Sequence, residues 1–284
     1  MKKSIEKKTQ TGIIGSPLSH TLSPAMHNNS FKKFKMNWEY RAYEMKAGEV
    51  RDFMWKLRKS GMKGINVTIP HKQHIMQFMD KLEAAAEAIG AVNTVVNNDG
   101  VITGCNTDYI GFIDSLKKNK VTLKNKKVVM IGAGGAAHAI AYAVKFLSPK
   151  EFYIYNIDLP MIEGLKTQLK LNDVITGDIA KTPEKDAVMA AADFIINCTS
   201  VGMHGKEVPY KIDKFKKGAV VYDLIYNPAL TPFLKAAKEK GAKVINGLDM
   251  LIYQGIEAFF LWTGKRPEYT TVKKAVEAFL RKKK

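Results

Sequence analysis

Residues 64–72 read Gly-Ile-Asn-Val-Thr-Ile-Pro-His-Lys, a strand-like stretch that ends in polar groups and a lysine. Apolar side chains alternate there with Asn66 and Thr68, which is the period of a half-buried strand. Pro70 has no N–H to donate, so we expect it to end the strand and to open a helix. Ligands of open α/β sheets bind beyond the carboxyl ends of the strands. Asn66, Thr68 and Lys72 are therefore candidates for holding a polar ligand, although a lone lysine is more often a solvated surface residue.

A second stretch that could do chemistry follows the apolar residues 127–131. Gly132, Gly134 and Ala137 form the pattern G-x-G-x-x-A between a predicted strand and a predicted helix, the context that a dinucleotide-binding fingerprint requires. The glycines permit a tight turn and a close approach to a pyrophosphate, to which the helix N-terminus offers N–H groups. The predicted cofactor-binding residues of this loop are Gly132, Ala133, Gly134, Gly135 and Ala136.

The next predicted strand ends with Asn156, and Asp158 follows it closely. A carboxylate at this position accepts hydrogen bonds from the ribose hydroxyls of NAD and repels the 2′-phosphate of NADP, which an arginine usually binds. No arginine occurs between Arg58 and Arg266. The sequence therefore favours NAD, and NADP stays an alternative because Lys166 or Lys181 could supply positive charge.

The elements that must position these residues alternate between short apolar strands and amphipathic helices, which predicts largely parallel sheets. In the first part we expect strands at residues 11–14, 39–43, 63–69 and 92–97, with helices at 25–34, 47–60 and 82–89. The cluster Asn97-Asn98-Asp99-Gly100 predicts a hairpin, and hence one antiparallel strand at that edge of the sheet. In the second part we expect a joining helix at 108–118, strands at 127–131, 152–156, 194–197, 219–223 and 243–245, and final helices at 250–263 and 272–281.

These elements predict two α/β domains, as does a length of 284 residues. Residues 1–107 are expected to form a mainly parallel substrate-binding sheet domain, on which the C-terminal helices of residues 248–284 pack. Residues 108–247 are expected to form a Rossmann-type dinucleotide-binding domain. The predicted site lies in the cleft between the two domains.

Composition excludes several classes of protein. A hydrophobic content of 46% is that of a globular chain and not of a disordered one. No apolar stretch approaches the roughly 18 residues needed to span a bilayer, and no apolar segment follows the lysine-rich residues 1–10. The two cysteines, Cys105 and Cys198, lack metal-ligand spacing and fit a reducing compartment. We therefore expect a cytoplasmic protein without a membrane segment, secretory signal or metal.

The net charge of +18 points to an anionic partner. The lysines are spread along the chain in pairs and are not concentrated in a basic and aromatic module, which argues against nucleic-acid binding. A small anionic substrate is the better explanation. The oligomeric state is left open between a monomer and a homodimer.

Several motifs occur in an order that is characteristic of one enzyme family. They are Ser19-His20-Thr21-Leu22-Ser23-Pro24, Asn66-Val67-Thr68-Ile69-Pro70-His71-Lys72, Gly90-Ala91-Val92-Asn93-Thr94, Asn106-Thr107-Asp108, the glycine-rich loop, Asn197-Cys198-Thr199-Ser200-Val201-Gly202-Met203 and Leu251-Ile252-Tyr253-Gln254-Gly255. With these motifs the chain resembles the shikimate dehydrogenases and the related quinate/shikimate dehydrogenases over residues 12–264. The resemblance implies hydride transfer between a nicotinamide cofactor and the ring hydroxyl or ketone of shikimate and 3-dehydroshikimate. It leaves quinate and 3-dehydroquinate as alternative substrates.

The resemblance also implies a role for individual residues. Lys72 would be the principal acid/base and Asp108 its partner, since oxidation of an alcohol moves a hydride to the cofactor and a proton to a base. The implied substrate-binding residues are Thr21, Ser23, Thr68, Lys72, Asn93, Asp108, Tyr226 and Gln254, with Asn66 between a supporting and a binding role. The implied cofactor-binding residues beyond the glycine-rich loop are Asn156, Asp158, Thr199, Ser200, Gly247 and Met250.

Two positions depart from the family pattern, and three alternatives stay open. Thr21 stands where serine is usual, and its extra methyl group narrows the carboxylate end and could change the preference between shikimate and quinate. Asp249 stands where glycine is usual and would bring a carboxylate near the nicotinamide. His71 is a rival base, and His71 with His74 has the spacing of two metal ligands but no third partner. A non-catalytic sensor of a shikimate-type acid is the rival from another class.

Overall fold

The computed structural model describes residues 8–282, and the chain divides into two compact units. The first unit contains the residues up to Thr107 together with those from Ile252 onward. The second unit is Asp108–Leu251. Each unit contains one six-stranded sheet with helices, so the predicted α/β class with two sheets is confirmed.

The first sheet is built from six strands of the N-terminal half of the chain. They are β1 (Thr9–Gly15), β2 (Trp38–Glu44), β3 (Gly64–Val67), β4 (Lys81–Leu82), β5 (Thr94–Asn98) and β6 (Val101–Cys105). The second sheet is built from β7 (Lys127–Ile131), β8 (Glu151–Asn156), β9 (Ile175–Asp178), β10 (Phe194–Asn197), β11 (Val220–Asp223) and β12 (Lys243–Asn246).

Ten α-helices connect or cover these strands. They are α1 (Ser23–Lys33), α2 (Val50–Lys59), α3 (Ala84–Ile89), α4 (Asp108–Lys118), α5 (Gly135–Phe146), α6 (Leu159–Leu169), α7 (Lys185–Ala191), α8 (Pro232–Glu239), α9 (Leu248–Thr263) and α10 (Tyr269–Lys282) among the described residues. The described residues also contain two short 3₁₀ segments, Ala47–Glu49 and His74–Phe78. The boundary between the units falls inside α9, after its first turn.

The first sheet has the strand order β2-β1-β3-β5-β6-β4. Its neighbours are parallel except for β5, which is antiparallel to both β3 and β6. The hairpin from β5 to β6 turns at Asp99 and Gly100, both with positive φ, as the turn chemistry requires. The antiparallel strand was expected at an edge of the sheet, but β5 lies inside it, because the two-residue strand β4 takes the edge beside β6.

Strand β3 is buried along its whole length, so the prediction of a half-buried strand is wrong. Polar Asn66 is only 5% exposed, because β3 pairs with a strand on each side and both faces of the sheet are covered there. Trp262 of α9 donates its Nε1–H to the Val95 carbonyl at 3.0 Å. A side chain at Gly64 would overlap both of these groups, which explains the glycine at the start of the strand.

Pro70 does not open a helix, in contrast to the expectation. The strand ends at Val67, and Pro70 lies in a turn after a cis peptide bond with Ile69. The next helical turn is the 3₁₀ segment His74–Phe78. The end of β3 therefore continues into a tight turn that carries Lys72.

The second sheet is entirely parallel and has the order β12-β11-β10-β7-β8-β9. Counted from β7, this is the order 3-2-1-4-5-6 of doubly wound dinucleotide-binding folds. The order reverses between β7 and β10, and crevices at such switch points are where these folds bind ligands. The residues that follow β7 and β10 are therefore the ones to examine for a cofactor.

Strand β9 and helices α6, α7 and α8 were not predicted. Strand β9 pairs only with β8, and its four residues contain a glycine and an aspartate, which gives a weak strand signal. Two of these helices have N-terminal capping residues. Asp158 accepts a hydrogen bond from Met161 N at the start of α6, and Thr231 accepts one from Leu234 N at the start of α8.

Each unit has its own apolar core on both faces of its sheet. In the first unit one cluster surrounds Ile65 and another surrounds Phe259 and Trp262. In the second unit Val128 and Val129 point to opposite clusters, the alternation expected of a central strand covered on both sides. None of the described helices has the length and apolar character needed to cross a membrane.

Candidate active site

The turn after β3 fixes the backbone of Lys72 through three hydrogen bonds. His71 N donates to Thr68 O at 2.9 Å, and Val92 N donates to Lys72 O at 2.8 Å. Thr68 N in turn donates to Ile14 O at 2.9 Å. The turn is thereby tied to the end of β1 and to the segment before β5. Thr68 and Lys72 are partly exposed, so their side chains are accessible to a ligand.

His71 is held inside the fold. Its side chain is 1% exposed, and Nε2 lies 2.8 Å from the Met45 carbonyl oxygen, to which it donates as Nε2–H. Nδ1 is buried, and among the described residues it has no hydrogen-bond partner. His71 therefore anchors the turn that carries Lys72. Within residues 8–282 no group of three or more histidine, cysteine or acidic side chains is arranged to hold a metal.

Asn66 lies in β3, just before the turn that carries Lys72, and its side chain makes only internal hydrogen bonds. Its Oδ1 accepts from the Tyr40 hydroxyl at 2.7 Å, and its Nδ2 lies 3.1 Å from Thr94 Oγ1 and 3.3 Å from the Asn93 carbonyl oxygen. All of these groups are buried in the first unit. Both functional atoms of the amide are used internally, so Asn66 has a supporting role and not a binding one.

Asn93 and Gln254 are brought together although they lie far apart in the sequence. Asn93 Nδ2 lies 2.9 Å from Thr107 Oγ1 and 3.4 Å from Gln254 Oε1. Asn93 Oδ1 accepts from Thr107 N at 2.7 Å. Asn93 is 3% and Gln254 9% exposed. The two amides are thus held by a shared buried network, which fixes their orientation.

Thr21 and Ser23 lie at the start of α1. Ser23 is buried and Thr21 is partly exposed, and the Ser23 N–H lies 3.4 Å from Thr21 Oγ1. The Ser23 hydroxyl also hydrogen-bonds to Tyr40, whose pKa burial raises well above its usual range. Ser23 is therefore linked through Tyr40 to Asn66, and so to the amides behind it.

A buried histidine packs against this network. His27 stacks on Tyr40 with ring centroids 4.4 Å apart and also contacts Trp262 and Phe259. Burial lowers its pKa to about 3, and a hydrogen bond to Asn66 opposes this only in part. The ring is therefore neutral at physiological pH. Every member of the network in the first unit, from Ser23 to Gln254, is then an uncharged group.

Asp108 is the first residue of α4 and begins the second unit. Its side chain is 6% exposed. The position satisfies the preference of acidic side chains for helix N-termini. The preceding Asn106 donates to the Ala91 carbonyl at 2.9 Å, which fixes the chain just before Asp108.

The glycine-rich loop follows β7 at the switch point of the second sheet. Gly132 has a φ of +106°, and a Cβ atom there would lie 2.8 Å from Thr199 Cγ2. Gly132 N donates to Tyr155 O at 2.8 Å. Helix α5 then begins with Gly135, and side chains added at Gly134 or Gly135 would meet no atom within 4 Å. The loop therefore presents open backbone at a helix N-terminus, which is the cradle a pyrophosphate requires.

The residues after β8 also match their predicted location. Asn156 ends β8, and its Nδ2 donates to the Asp158 carbonyl at 3.0 Å. Asp158 is exposed, and its Oδ1 accepts from Met161 N at 3.2 Å. Ile157 between them is 77% exposed, a large apolar side chain open to solvent. A carboxylate and an apolar surface therefore lie together at the end of the strand beside β7.

The predicted nicotinamide side of the second unit contains two turns. Asn197 Oδ1 accepts from Thr199 N at 3.0 Å and Thr199 Oγ1 at 2.7 Å, which shapes the turn with Ser200. Gly247 N donates to Ile225 O at 3.2 Å, and a side chain at Gly247 would overlap the Leu224 carbonyl. Met250 is buried in α9, and Tyr226 is half-buried with a pKa raised by burial.

Asp249 has a local partner that the sequence did not indicate. Its Oδ2 accepts from Asn119 Nδ2 at 2.9 Å, and Asn119 Nδ2 also donates to Ser115 O. The carboxylate therefore ties the first turn of α9 to the end of α4. The departure from glycine at this position has a structural explanation within the second unit.

The fold and these two sets of residues define a class, that of two-domain α/β proteins with a Rossmann-type nucleotide unit. Family models for the shikimate dehydrogenase substrate binding domain and the shikimate 5'-dehydrogenase C-terminal domain match residues 13–95 and 247–277. The chain is 42% identical to the shikimate dehydrogenase (NADP(+)) of Carboxydothermus hydrogenoformans over 94% of this chain and 95% of that protein.

Solved structures are similar over nearly the whole chain. Shikimate 5-dehydrogenase from Listeria monocytogenes, in complex with shikimate and NAD, has a TM-score of 0.87 at 33% identity and covers 96% of this chain and 98% of its own. Quinate dehydrogenase from Corynebacterium glutamicum, in complex with NAD, has a TM-score of 0.86 at 30% identity and covers 96% and 99%. The chain belongs to the shikimate dehydrogenase family, which confirms the resemblance in its motifs.

Sequence reasoning missed the residues that hold the site residues in place. Tyr40, His27 and Thr107 in the first unit make contacts that no motif spacing indicates. In the second unit Asp223 is fully buried and bonded to Asn197 and Thr231. Only Asp223 had a signal in the sequence: it is a charged residue at the end of an apolar strand, as Lys72 is a charged residue after one.

Proposed function

We propose that the protein is a nicotinamide-dependent dehydrogenase that interconverts shikimate and 3-dehydroshikimate. The single observation that supports this most strongly is family membership combined with an ordered turn that presents Lys72 beyond β3. The Rossmann-type unit, with open backbone at Gly134 and Gly135, fits a dinucleotide. When bound, the nicotinamide ring supplies the hydride acceptor and donor.

The residues of the first unit are proposed to bind the ring acid. Thr21 and Ser23 would hold its carboxylate, and Thr68, Asn93 and Gln254 its ring hydroxyls or that carboxylate. Because neutral amides and hydroxyls can both donate and accept, they suit a ring that carries several hydroxyl groups. The contact between Asn93 and Gln254 holds these two amides in place and so reduces the entropy lost when the substrate is bound.

Lys72 is proposed to take the proton of the reacting hydroxyl during oxidation and to return it during reduction. Its backbone is fixed by Val92, while its side chain stays partly exposed, as a group that exchanges protons requires. Asp108 is proposed as its partner on the basis of the family motif. Tyr226 is proposed as a further contact to the substrate.

The preferred cofactor is proposed to be NAD. Exposed Asp158 at the end of β8 supports this, since its carboxylate accepts from ribose hydroxyls and repels a 2′-phosphate. Thr199, Ser200, Gly247 and Met250 are proposed to line the nicotinamide. The relative from Carboxydothermus hydrogenoformans is a shikimate dehydrogenase (NADP(+)), which makes NADP the alternative, whereas the Listeria monocytogenes structure is a complex with NAD.

A four-way turnover assay tests the proposal. Nicotinamide absorbance is followed with shikimate and with quinate, each with NAD and with NADP, on the full chain. We expect the highest kcat/KM for shikimate with NAD. Higher kcat/KM with quinate would overturn the substrate assignment, and higher kcat/KM with NADP would overturn the cofactor assignment. No turnover with any pair would refute the dehydrogenase and favour a sensor.

A further inference from the structure

A buried carboxylate in the second unit has no role in the proposed chemistry. Asp223 ends β11 and is 0% exposed. Burying a carboxylate is costly unless hydrogen bonds compensate for its lost hydration. The burial of the Asp223 carboxylate therefore needs a structural or functional explanation.

Three donors converge on Asp223. Its Oδ1 accepts from Asn197 Nδ2 and from Ile225 N, both at 3.0 Å, and its Oδ2 accepts from Thr231 Oγ1 at 2.7 Å. A carboxylate only accepts hydrogen bonds, so it fixes the direction in which each donor points. In particular it determines which end of the Asn197 amide faces the carboxylate. The carbonyl oxygen of Asn197 must then face away.

The outward carbonyl of Asn197 holds the turn that carries Thr199. Asn197 Oδ1 accepts from both Thr199 N at 3.0 Å and Thr199 Oγ1 at 2.7 Å. Thr199 Oγ1 also accepts from Val201 N at 3.2 Å. A flipped amide would present two donors to Thr199 N–H and so could not hold this turn.

The turn that carries Thr199 limits the space beside the glycine-rich loop. Thr199 Cγ2 would lie 2.8 Å from a Cβ atom at Gly132, so the two loops are in direct contact. Cys198 N donates to Ile131 O at 2.8 Å, which joins the turn to β7. A displaced Thr199 would therefore change the space that is open to the backbone of Gly132.

We propose that Asp223 is a positioning residue of the cofactor site, acting through the orientation of Asn197 on the turn of Thr199 and so on Gly132. This inference rests on the proposed function, since it assigns the glycine-rich loop to a dinucleotide. Asp223 does not itself touch the ligand. Its Ile225 bond aligns the segment that leads to Tyr226, and its Thr231 bond anchors the N-terminus of α8.

Dissociation constants for NAD and NADP, measured by fluorescence titration without turnover, test the proposal. Asp223→Ala and Asn197→Ala are expected to weaken dinucleotide binding about tenfold, the effect of about 1.4 kcal/mol of lost preorganisation. Asp223→Asn keeps Oδ1 as an acceptor for Asn197 and Ile225, so binding within about threefold of the wild type is expected. In Asn197→Ala and Asp223→Asn, which keep the acceptor for Ile225 N, the KM for shikimate is expected to stay within about twofold.

The matched control is Tyr222→Phe. Tyr222 precedes Asp223 on β11, is equally buried and loses one buried hydrogen bond, the 2.8 Å contact with Ser115 Oγ. Its side chain points to the other face of the sheet, away from Asn197. We expect dinucleotide binding within about twofold of the wild type despite a similar loss of stability.

Two outcomes would overturn the inference. One is a folded Asn197→Ala variant that binds dinucleotide as tightly as Tyr222→Phe does. The other is a tenfold loss in Asp223→Asn equal to that in Asp223→Ala, which would assign the effect to the charge and not to orientation. If Asp223→Ala does not fold, Asn197→Ala alone decides. Absence of turnover in a wild type that binds dinucleotide would refute the proposed function and leave the binding comparison valid.

Discussion

The buried hydrogen-bond network around the proposed substrate-binding residues of the first unit consists of neutral groups. The buried network next to the glycine-rich loop of the second unit is centred on a carboxylate. In the first unit Tyr40, Asn66, Thr94 and Asn93 bond to one another in a chain. In the second unit Asn197, Ile225 and Thr231 all donate to Asp223.

The two networks differ in how freely their hydrogen bonds can rearrange. A hydroxyl or amide can be donor or acceptor, so a neutral network can adjust to a substrate with several hydroxyl groups. A carboxylate can only accept, so it imposes one orientation on its neighbours at a higher desolvation cost. The proposed substrate side is thus suited to recognising several hydroxyl groups, and the proposed cofactor side to holding one backbone shape.

The largest effect that separates the two units is expected at Lys72. Lys72→Met removes the proposed proton acceptor and should lower kcat about 10³-fold, within the usual range for general acid–base groups. The dissociation constant for NAD should change less than about twofold, because the glycine-rich loop belongs to the second unit. Steady-state kinetics and dinucleotide titration provide both values.

Lys63→Met is the matched control, because Lys63 precedes β3 whereas Lys72 follows it. Lys63 pairs with Asp99 at 3.5 Å on the surface. Its loss should leave kcat within about twofold. Full turnover in Lys72→Met would show that another group moves the proton, and Asp108, its proposed partner, would be the next candidate.

The second prediction concerns the acid response of the first unit. The pKa of His27 is lowered from 6.5 to about 3 by burial, so the unfolded chain binds more protons than the folded one between these values. Stability is therefore lost as the pH falls below 6.5, by about 3 kcal/mol at pH 4. His27→Phe keeps an aromatic ring against Tyr40 and should remove this part of the pH dependence.

Urea unfolding followed by tryptophan fluorescence measures this effect in the first unit alone, because Trp38, Trp55 and Trp262 all belong to it. His74→Phe is the control, since His74 is exposed and should leave the slope unchanged. An unchanged acid slope in His27→Phe would contradict the assignment of a neutral buried histidine.

A third, smaller effect is expected for cofactor choice in the second unit. Asp158→Ser keeps an oxygen that can accept from Met161 N at the start of α6 but removes the charge. The ratio of kcat/KM for NAD to that for NADP should fall about tenfold, since like-charge repulsion of the 2′-phosphate is lost.

Glu163→Gln removes another acidic charge from α6 and serves as its control. Glu163 pairs with Lys166 at 3.5 Å, one turn along the helix. The cofactor ratio should stay within about twofold of the wild type. An equal fall in both variants would show that the overall charge of the helix, and not the position of Asp158, sets the preference.

The smallest effect is expected from the charge of Asp223, with the opposite sign to that of His27. Burial raises the pKa of Asp223, and hydrogen bonds from Thr231, Ile225 and Asn197 oppose the rise. Between the unfolded and the folded pKa the folded chain binds more protons, so stability falls as the pH rises through this window above 3.8.

Asp223→Asn should therefore gain stability relative to the wild type as the pH rises through that window, by no more than about 1 kcal/mol. Hydrogen exchange of the β10 and β11 amides measures the second unit, which contains no tryptophan. Asn119→Ala, which removes the hydrogen bond from a neutral amide to Asp249, should show no such dependence on Asp223 titration. If the stability of Asp223→Asn relative to the wild type instead increased as the pH fell, the pKa of Asp223 would be lowered by folding and not raised.

Much of the fold could be predicted because the strands have strong local patterns. Strands β7 and β10 have the predicted bounds, and α4 begins and ends as expected. Strand β9 and helices α6 to α8 were missed, since their apolar periods are short and their caps were not used. The pairing of β5 inside the sheet could not be read locally, because strand order depends on contacts between distant segments.

The site divides in the same way. The sequence motifs placed Lys72 after a strand and Gly132 before a helix, since both depend on neighbours in the chain. Burial of Asn66 could not be predicted, because it requires a strand on each side and aromatic groups above. Asp249 was expected near the nicotinamide, but its contact with Asn119 depends on how α4 and α9 meet within the second unit.

The sequence by itself determined the two α/β units, the family and the glycine-rich loop, because these are encoded in short-range order, such as the apolar run of β7 and the spacing from Gly132 to Ala137. Only the tertiary structure decided that Asn66 supports and does not bind, that His27 is neutral, and that Asp223 orients Asn197. Each of these depends on burial and on donors from separate strands and helices. Desolvation and hydrogen-bond direction are properties of the assembled fold.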